Sequence, residues 1–505
     1  MPAVQHLETE RTFDVEDGAA LPPLAGGSVA RSGAPVTHRL QATYFDTSGF
    51  ALAAGRTTLR LRTGGSDDGW HLKLPVAVDQ RLEVRLPVGR SRRTPPVGLR
   101  RKVQVLVRGR ELGPVVRLTT RRVEIPLLDA GGAVLAVVCD DHVEAERLGD
   151  SLSTTSWREW EVELVDGGPE ALAQVTRRLV EAGGRPTRHA SKLARALGGD
   201  LPARWLPPQR SRLMSSGDLL LSRVGEYVAD LVAADPRVRA DADDAVHAMR
   251  VSTRRLRSLL ATFRPLLVTG TSEHLRAELK WLAGVLGQAR DAEVLRERLA
   301  GLVALEPPEL VLGPVARRID DELRLRYRDA HATAVAVLDD PRYFALLDGL
   351  DAWVQDPPLR ADVSGPARDV VPELLHRDWR RLRRAAEAAE VATEGREEAL
   401  HEVRKAAKRL RYAADAVVPV FGKQAKRLRK TAEHVQTDLG EHNDAVVARD
   451  ELRRLGVKAH LASENGFSFG RLHALEQQRA DAAGDRFRSR WAAVDSPRVR
   501  RWARR

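Results

Sequence analysis

The stretch VHAMRVSTRRLRSLL, residues 246–260, threads four arginines and a histidine through a helix that also carries an apolar stripe. Val246, Met249, Thr253, Leu256 and Leu260 recur at the spacing of a buried helix face. His247, Arg250, Arg254 and Arg257 follow the same spacing one residue later, about 100° around the helix. The basic stripe therefore borders the buried one, where stems are covered and charged heads converge. No Asp or Glu falls between 247 and 264, so no acid one turn away offsets the like charges on that face.

The pattern returns at LHEVRKAAKRLRYAA, residues 400–414. Over 247–257 against 401–411, five of eleven positions are identical, and Arg254 faces Lys408. A second pair of blocks, LGQARDAEV at 286–294 and LGEHNDAVV at 439–447, shares five of nine positions. Two blocks in the same order predict a duplicated helical unit. In the second copy Leu400, Val403, Ala407, Leu410 and Ala414 form the core stripe. His401, Arg404, Lys408 and Arg411 form the basic one. A single such helix reads as a solvated face with arginine stems lying over the core; two in one domain point to a surface that holds an anion. Asp291 and Asp444 stand at matching places in the second blocks, either to orient arginines or to make intrahelical salt bridges. HRDWRRLRR at 376–384 and KQAKRLRK at 423–430 add further basic helices.

Outward from these helices, residues 212–505 read as helical, with breaks expected at ADPR (234–237), LEPPE (305–309), DDPR (339–342) and DPPLRADVSGP (356–366). The two copies span about 212–350 and 366–505. LPARWLPPQRS, 201–211, is a Pro-rich linker. Residues 1–200 change character to strands such as TLRLRT, HLKLP, RLEVRLPV and REWEVELV, separated by turns such as GGSDDG, TPPVG and DAGG, with one helix at 168–182. The expected fold is multidomain α+β: an N-terminal antiparallel β-barrel of residues 1–200, then an all-α domain of two repeated helical bundles.

Within the strand half, charges recur at period two. Glu8, Glu10 and Thr12 share one face, as do Glu159, Glu161 and Glu163. Arg60 with Arg62, and Arg81 with Glu83 and Arg85, do likewise, and Lys73 sits in HLKL. Either these charges face solvent on an open sheet, or they line a barrel in which carboxylates hold a hard metal and bases hold phosphate.

The chain carries a formal charge of +12. Residues 1–200 hold 28 Lys+Arg against 25 Asp+Glu, and the remainder 54 against 45, so most of the excess lies in the helical half. A basic balance favours nucleic acid, anionic membrane or polyphosphate. The basic runs lack aromatic platforms beyond Trp379 and Tyr412, which disfavours single-stranded nucleic acid. One cysteine, Cys139, excludes an internal disulfide. With no signal-peptide pattern and no membrane-length apolar run, a soluble cytoplasmic protein is expected.

The helical half resembles the CHAD family, the conserved-histidine α-helical domain, through HxxRVxxRRLRxxL, LHxxRKxxKRLRYxxD and the paired LGxxRD and LGxxND blocks. The resemblance implies inorganic polyphosphate as partner, with His247, Arg250, Arg254, Arg257, His401, Arg404, Lys408 and Arg411 as its ligands, and association with polyphosphate granules. The strand half is similar to the CYTH family of triphosphate tunnel metalloenzymes through ETERTF, YFDTSGFALAAGRTTLRLR, WHLKLP, RLEVRL, WEVELVDG and HASKLARAL. That likeness implies an eight-stranded tunnel hydrolysing triphosphate or nucleoside triphosphate with Mg²⁺ or Mn²⁺. Glu8, Glu10, Glu161 and Glu163 would be the metal ligands. Arg60, Arg62, Lys73, Arg81, Arg122 and Lys192 would hold phosphates, and Glu8, Glu10 and Asp141 would be catalytic. The chain departs from the family signature ExExK, with Thr12 at the lysine position, and Arg85 stands where an acid is often found. Two readings follow: a tunnel that cuts triphosphate, or one that only binds it beside a polyphosphate-binding helical domain.

Overall fold

The computed structural model describes residues 4–89, 91–149, 153–202, 207–208, 211–361 and 365–494. The chain divides into two compact units, Met1–Arg204 and Trp205–Arg505. Part of the expected linker, 203–206 and 209–210, lies outside the described residues.

The first unit runs β1 (Val4–Val15), β2 (Arg31–Ser32), β3 (Val36–Asp46), α1 (Ala51–Ala54), β4 (Thr58–Thr63), β5 (Gly69–Ala77), β6 (Gln80–Leu86), α2 (Val97–Val107), β7 (Gly113–Leu128), β8 (Val134–Arg147), β9 (Thr154–Leu164), α3 (Pro169–Glu181), β10 (Arg185–Pro186) and α4 (Lys192–Leu197). All ladders are antiparallel, in the order β1-β6-β5-β4-β3-β7-β8-β9, and β1 pairs again with β9. Eight strands thus close into a barrel with no free edge along the ring.

Under its covering helices this barrel is apolar on its outside, while β3, β7 and β8 also turn Arg39, Gln41, Arg117, Thr119, Arg121 and Glu144 to solvent. Phe45, Leu59, Leu61, Trp70, Leu72 and Val84 are covered by Leu99, Val103 and Val107 of α2. Phe13, Val138, Trp160 and Val162 are covered by Leu172, Val175 and Leu179 of α3. The charged parity therefore faces inward, and the open-sheet reading fails. At one end the inward positions turn apolar: Ala42, Tyr44, Val116, Leu118, Val143 and Ala145 take Leu193, Ala196 and Leu197 of α4, which closes that end. Ser191 starts α4 by accepting from the Ala194 N–H at 3.1 Å.

TPPVG is not a hairpin turn. It leads into α2, whose Leu99, Val103 and Val107 recur at helical spacing behind a proline and glycine that signal a turn.

The second unit runs α5 (Ser216–Arg239), α6 (Ala245–Thr262), α7 (Glu273–Ala304), α8 (Val315–Leu338), α9 (Pro341–Gln355), α10 (Ala367–Val391), α11 (Arg396–Ala416), α12 (Val418–Phe421), α13 (Lys423–Leu461) and α14 (Phe467–Val494). Helices α5 to α8 pack each on the next, as do α10, α11, α13 and α14, and α6 meets α11. One apolar core joins Leu295, Leu299, Ile319 and Leu323 of α7 and α8 to Leu452, Leu455, Phe469 and Leu472 of α13 and α14. The break expected at ADPR is absent. Helix α5 runs through Pro236 to Arg239, and Arg239 binds Asp235 at 2.6 Å one turn back.

Both core stripes are buried: Val246, Met249, Thr253, Leu256 and Leu260 on α6, and Leu400, Val403, Ala407, Leu410 and Ala414 on α11. Leu256 is fully enclosed, so Leu256→Ala should destabilise the helical unit by about 2–5 kcal/mol. Denaturant melts followed by helical circular dichroism would show it as a lower midpoint with an unchanged slope. A midpoint equal to wild type would contradict this packing.

Candidate functional site

Strand alternation aims the tunnel's acids into one chamber. On β1 these are Glu8 and Glu10, and on β9 Glu159, Glu161 and Glu163; register sets Glu10 opposite Glu163 and Thr12 opposite Glu161. Asp141 of β8 lies opposite Glu159. The bases come from the facing strands: Arg60 and Arg62 of β4, Lys73 of β5, Arg81 and Arg85 of β6, Arg122 of β7, and Lys192 of α4. The chamber has a volume of about 230 Å³.

Two ionic clusters fill it. Lys192 reaches Asp141, Glu159 and Glu161 at 3.1, 2.6 and 2.5 Å. Arg122 meets Asp141 at 2.6 Å and Glu161 at 2.5 Å. In the other cluster Lys73 joins Glu8 at 2.5 Å and Glu10 at 3.4 Å, and Arg81 joins Glu10 at 3.1 Å. Glu83 is buried beneath it, bound by Arg85 and by His71 Nδ1 at 2.9 Å. Arg60 differs from these bases. Its hydrogen bond goes to the Tyr44 hydroxyl at 3.1 Å, and it has no carboxylate partner among the described residues.

These surroundings split the carboxyls. Burial would raise Asp141 and Glu161, but Arg122 and Lys192 hold both below the ordinary range. Burial dominates at Glu159 and Glu163 and raises both. Burial also pushes Glu8 up to about 7, against the pull of Lys73. A carboxyl poised there can exchange a proton near neutral pH.

Asp141, Glu159 and Glu161 each offer an oxygen, all within 4.8 Å of one another. An all-oxygen donor set of this kind suits a hard divalent cation. Glu159 was not among the expected ligands, although it shares the β9 face with Glu161 and Glu163. Glu8, Glu10 and Glu163 line the same chamber outside this trio. The sequence places Glu83 on a charged face with Arg81 and Arg85 but carries no sign of its pairing with His71, which needs β5 and β6 in register.

In the second unit a cavity of about 250 Å³ opens where α6 meets α11. Arg254 and Arg257 of α6, Arg276 of α7, Arg381 of α10, and Lys405, Lys408 and Arg409 of α11 line it, with Tyr412. No carboxylate lines it among the described residues. Burial, then Arg254, Arg404 and Arg250, drives the Lys408 amine down to about 6. Burial and neighbouring cations also lower Arg254, Arg257 and Arg404.

Of the eight basic residues expected here, Arg254, Arg257 and Lys408 line this cavity. Arg250 and Arg404 turn to Asp291 at 3.1 Å and Asp444 at 3.5 Å, matching partners in the two copies. Arg411 pairs with Glu433 at 3.0 Å. His401 bonds Asn443 at 3.0 Å beside a separate pocket. His247 stands near Arg290, the counterpart of Asn443, and burial with that cation lowers it. Arg409, identical in the repeat, and Arg381, in HRDWRRLRR, carried a signal; Arg276 sits in an ordinary amphipathic helix and carried none.

No helix among the described residues is long and apolar enough to cross a membrane. The CHAD domain family matches residues 222–453 and the CYTH domain family residues 6–196. An uncharacterized protein of Mycobacterium tuberculosis is 40% identical over 502 residues, covering 95% of this chain and 94% of its own length. Among solved structures, PptA from Streptomyces chartreusis is 25% identical and covers 55% of this chain and 99% of its own, with a TM-score of 0.47. The CHAD domain from the plant Ricinus communis is 25% identical and covers 57% of this chain and 96% of its own, with a TM-score of 0.43. The chain belongs to the CYTH and CHAD families and carries one domain of each.

Proposed function

We propose that the tunnel hydrolyses triphosphate-type phosphoanhydrides and that the helical domain binds inorganic polyphosphate, which would bring the protein to polyphosphate granules. The observation that carries the first part is the carboxylate trio sharing one chamber with Arg60, Arg62, Arg122 and Lys73. Asp141, Glu159 and Glu161 would hold Mg²⁺ or Mn²⁺, which when bound polarises phosphate oxygens and supports attack by water. Arg60, free of a carboxylate, takes a phosphate oxygen directly, and Arg62 and Arg122 fork onto neighbouring oxygens. Glu8 accepts the proton lost as water forms its bond to phosphorus. The bridging P–O bond breaks, and the bases stabilise charge on the departing phosphate.

One observation favours a second reading, a tunnel that binds without cutting. The Lys192 ammonium already sits on all three carboxylates, and Thr12 withholds the charge a lysine would bring. Phosphate release from triphosphate with Mn²⁺ decides between them. Glu159→Gln with Glu161→Gln should lower kcat/KM by about 10² or more if the tunnel is catalytic. Release from wild type no greater than from that variant selects the second reading.

For the helical domain, seven bases around a cavity with no lining acid support a polyanion. A phosphate chain seated there would return the proton that burial and repulsion remove from Lys408. Since the free amine titrates at about 6, binding at pH 7–8 should take up a proton. Affinity should then rise by up to about tenfold per pH unit as pH falls from 8 to 6, and level off below. Titration calorimetry in buffers of different ionisation enthalpy reads the uptake. Lys408→Arg, always charged, should remove the pH dependence and Lys408→Ala should weaken binding. An unchanged pH profile in Lys408→Arg would refute the assignment.

A further inference from the structure

One stretch of the tunnel wall is held by fewer bonds than the rest. Along one edge of β1, residues 4–9 pair with β6 and residues 13–14 with β10. Between those ladders the edge is held by two backbone bonds, Glu10 N–H to the Asp79 carbonyl at 3.0 Å and Thr187 N–H to the Thr12 carbonyl at 3.1 Å. A pocket of about 530 Å³ lies at this gap. It shares Glu10, Thr12, Arg81, Thr187, His189 and Ala190 with the chamber, so the two cavities adjoin at these residues. Arg81 lies across the gap like a bar, joined to Glu10 at 3.1 Å and to the Ala190 carbonyl.

Outside the bar stand Arg56, Arg188 and His189, all exposed. Their side chains have no ion-pair or hydrogen-bond partner among the described residues. Arg56 is carried on a left-handed backbone, φ 55°, a conformation disfavoured for a residue with a Cβ. The pocket's acids are already committed, Asp79 to Arg11 at 2.9 Å and Glu10 to Lys73 and Arg81. Its one aromatic carbocycle, Phe13, is buried in the barrel core, so no platform for a nucleobase is offered. Helix α4 closes the adjacent end, and this stretch is where chamber and outer pocket share a wall.

We infer that this gap is a lateral window through which a linear phosphoanhydride chain passes, its reacting end in the chamber and its outer phosphates on Arg56, Arg188 and His189. The inference deepens the reading of the tunnel as a phosphoanhydride site and rests on it. It makes chains longer than triphosphate the preferred substrates, because only they reach both places.

The test is the double substitution Arg56→Glu with Arg188→Glu in the full chain. Arg254→Ala and Lys408→Ala are added throughout to silence the helical cavity. With Mn²⁺, KM for a medium-length linear polyphosphate should rise about fivefold or more, while kcat/KM for triphosphate stays within about twofold. Equal losses on both substrates, or none on either, overturn the window. If no protein in the series releases phosphate, the catalytic reading has failed, and calorimetric binding of the same two compounds decides the window separately. Selective loss of long-chain affinity upholds it, and equal affinity for the long chain in both proteins overturns it.

Discussion

A charge taken out of water must meet an opposite charge, and this requirement organises both domains. Removing one partner of a buried ion pair costs about 3–5 kcal/mol, because the survivor is left uncompensated. The tunnel satisfies the requirement internally. Its Lys192 sits on three carboxylates and its Lys73 on two. The helical cavity satisfies it only in part: Arg276, Lys405 and Arg409 pair with Glu273, Glu402 and Asp378 outside its lining, while Arg254, Arg257, Arg381 and Lys408 have no carboxylate partner among the described residues. The first site is a closed ionic network into which a ligand must exchange. The second keeps four bases that repel one another, a repulsion that a bound anion would relieve.

The tunnel's architecture follows from the same demand. A barrel whose interior is charged cannot use that interior as its core, so its apolar parity must turn outward and be covered. Helices α2 and α3 supply that cover, which is why the CYTH domain needs helices outside an already closed sheet. Helix α4 serves a different purpose. It enters where the inward face becomes apolar, and one turn carries both the plug, through Leu193, Ala196 and Leu197, and Lys192, the most connected base in the chamber. Plugging the end and placing the charge are thus one structural event.

Much of this was legible in the sequence because period and repetition survive without tertiary information. Period two on β1, β4, β6 and β9 grouped Glu8, Glu10, Arg60, Arg62, Arg81, Glu161 and Glu163 on shared faces, while Asp141, Arg122 and Lys192 rested on the family resemblance alone. The matched blocks at 246–260 and 400–414 named the two stripes, and their buried faces are those the wheel assigned. What escaped notice depends on contacts between distant elements. Glu159, as visible as Glu161, joins the oxygen trio only because Asp141 lies in register beside it. Arg276 reaches the basic cavity from a helix with nothing unusual in its pattern. Helix α2 hid behind turn residues, and Pro236 proved tolerable inside α5.

The two kinds of site also discriminate differently. In the tunnel each base but Arg60 already has a carboxylate partner, so a ligand would have to match that geometry to displace the existing bonds, and shape and length would be read together. In the helical cavity the bases lack lining acids and approach from α6, α7, α10 and α11. On the proposed reading, many single contacts to any phosphate oxygen would suffice there, and a flexible chain could satisfy them in many registers. Such a site gains from added phosphates but has little means of counting them. If the helical domain is such a tolerant holder, the protein's selectivity would lie in the chamber. Within the chamber, Arg60, bonded to the Tyr44 hydroxyl, is where an incoming phosphate would meet positive charge without first displacing a carboxylate.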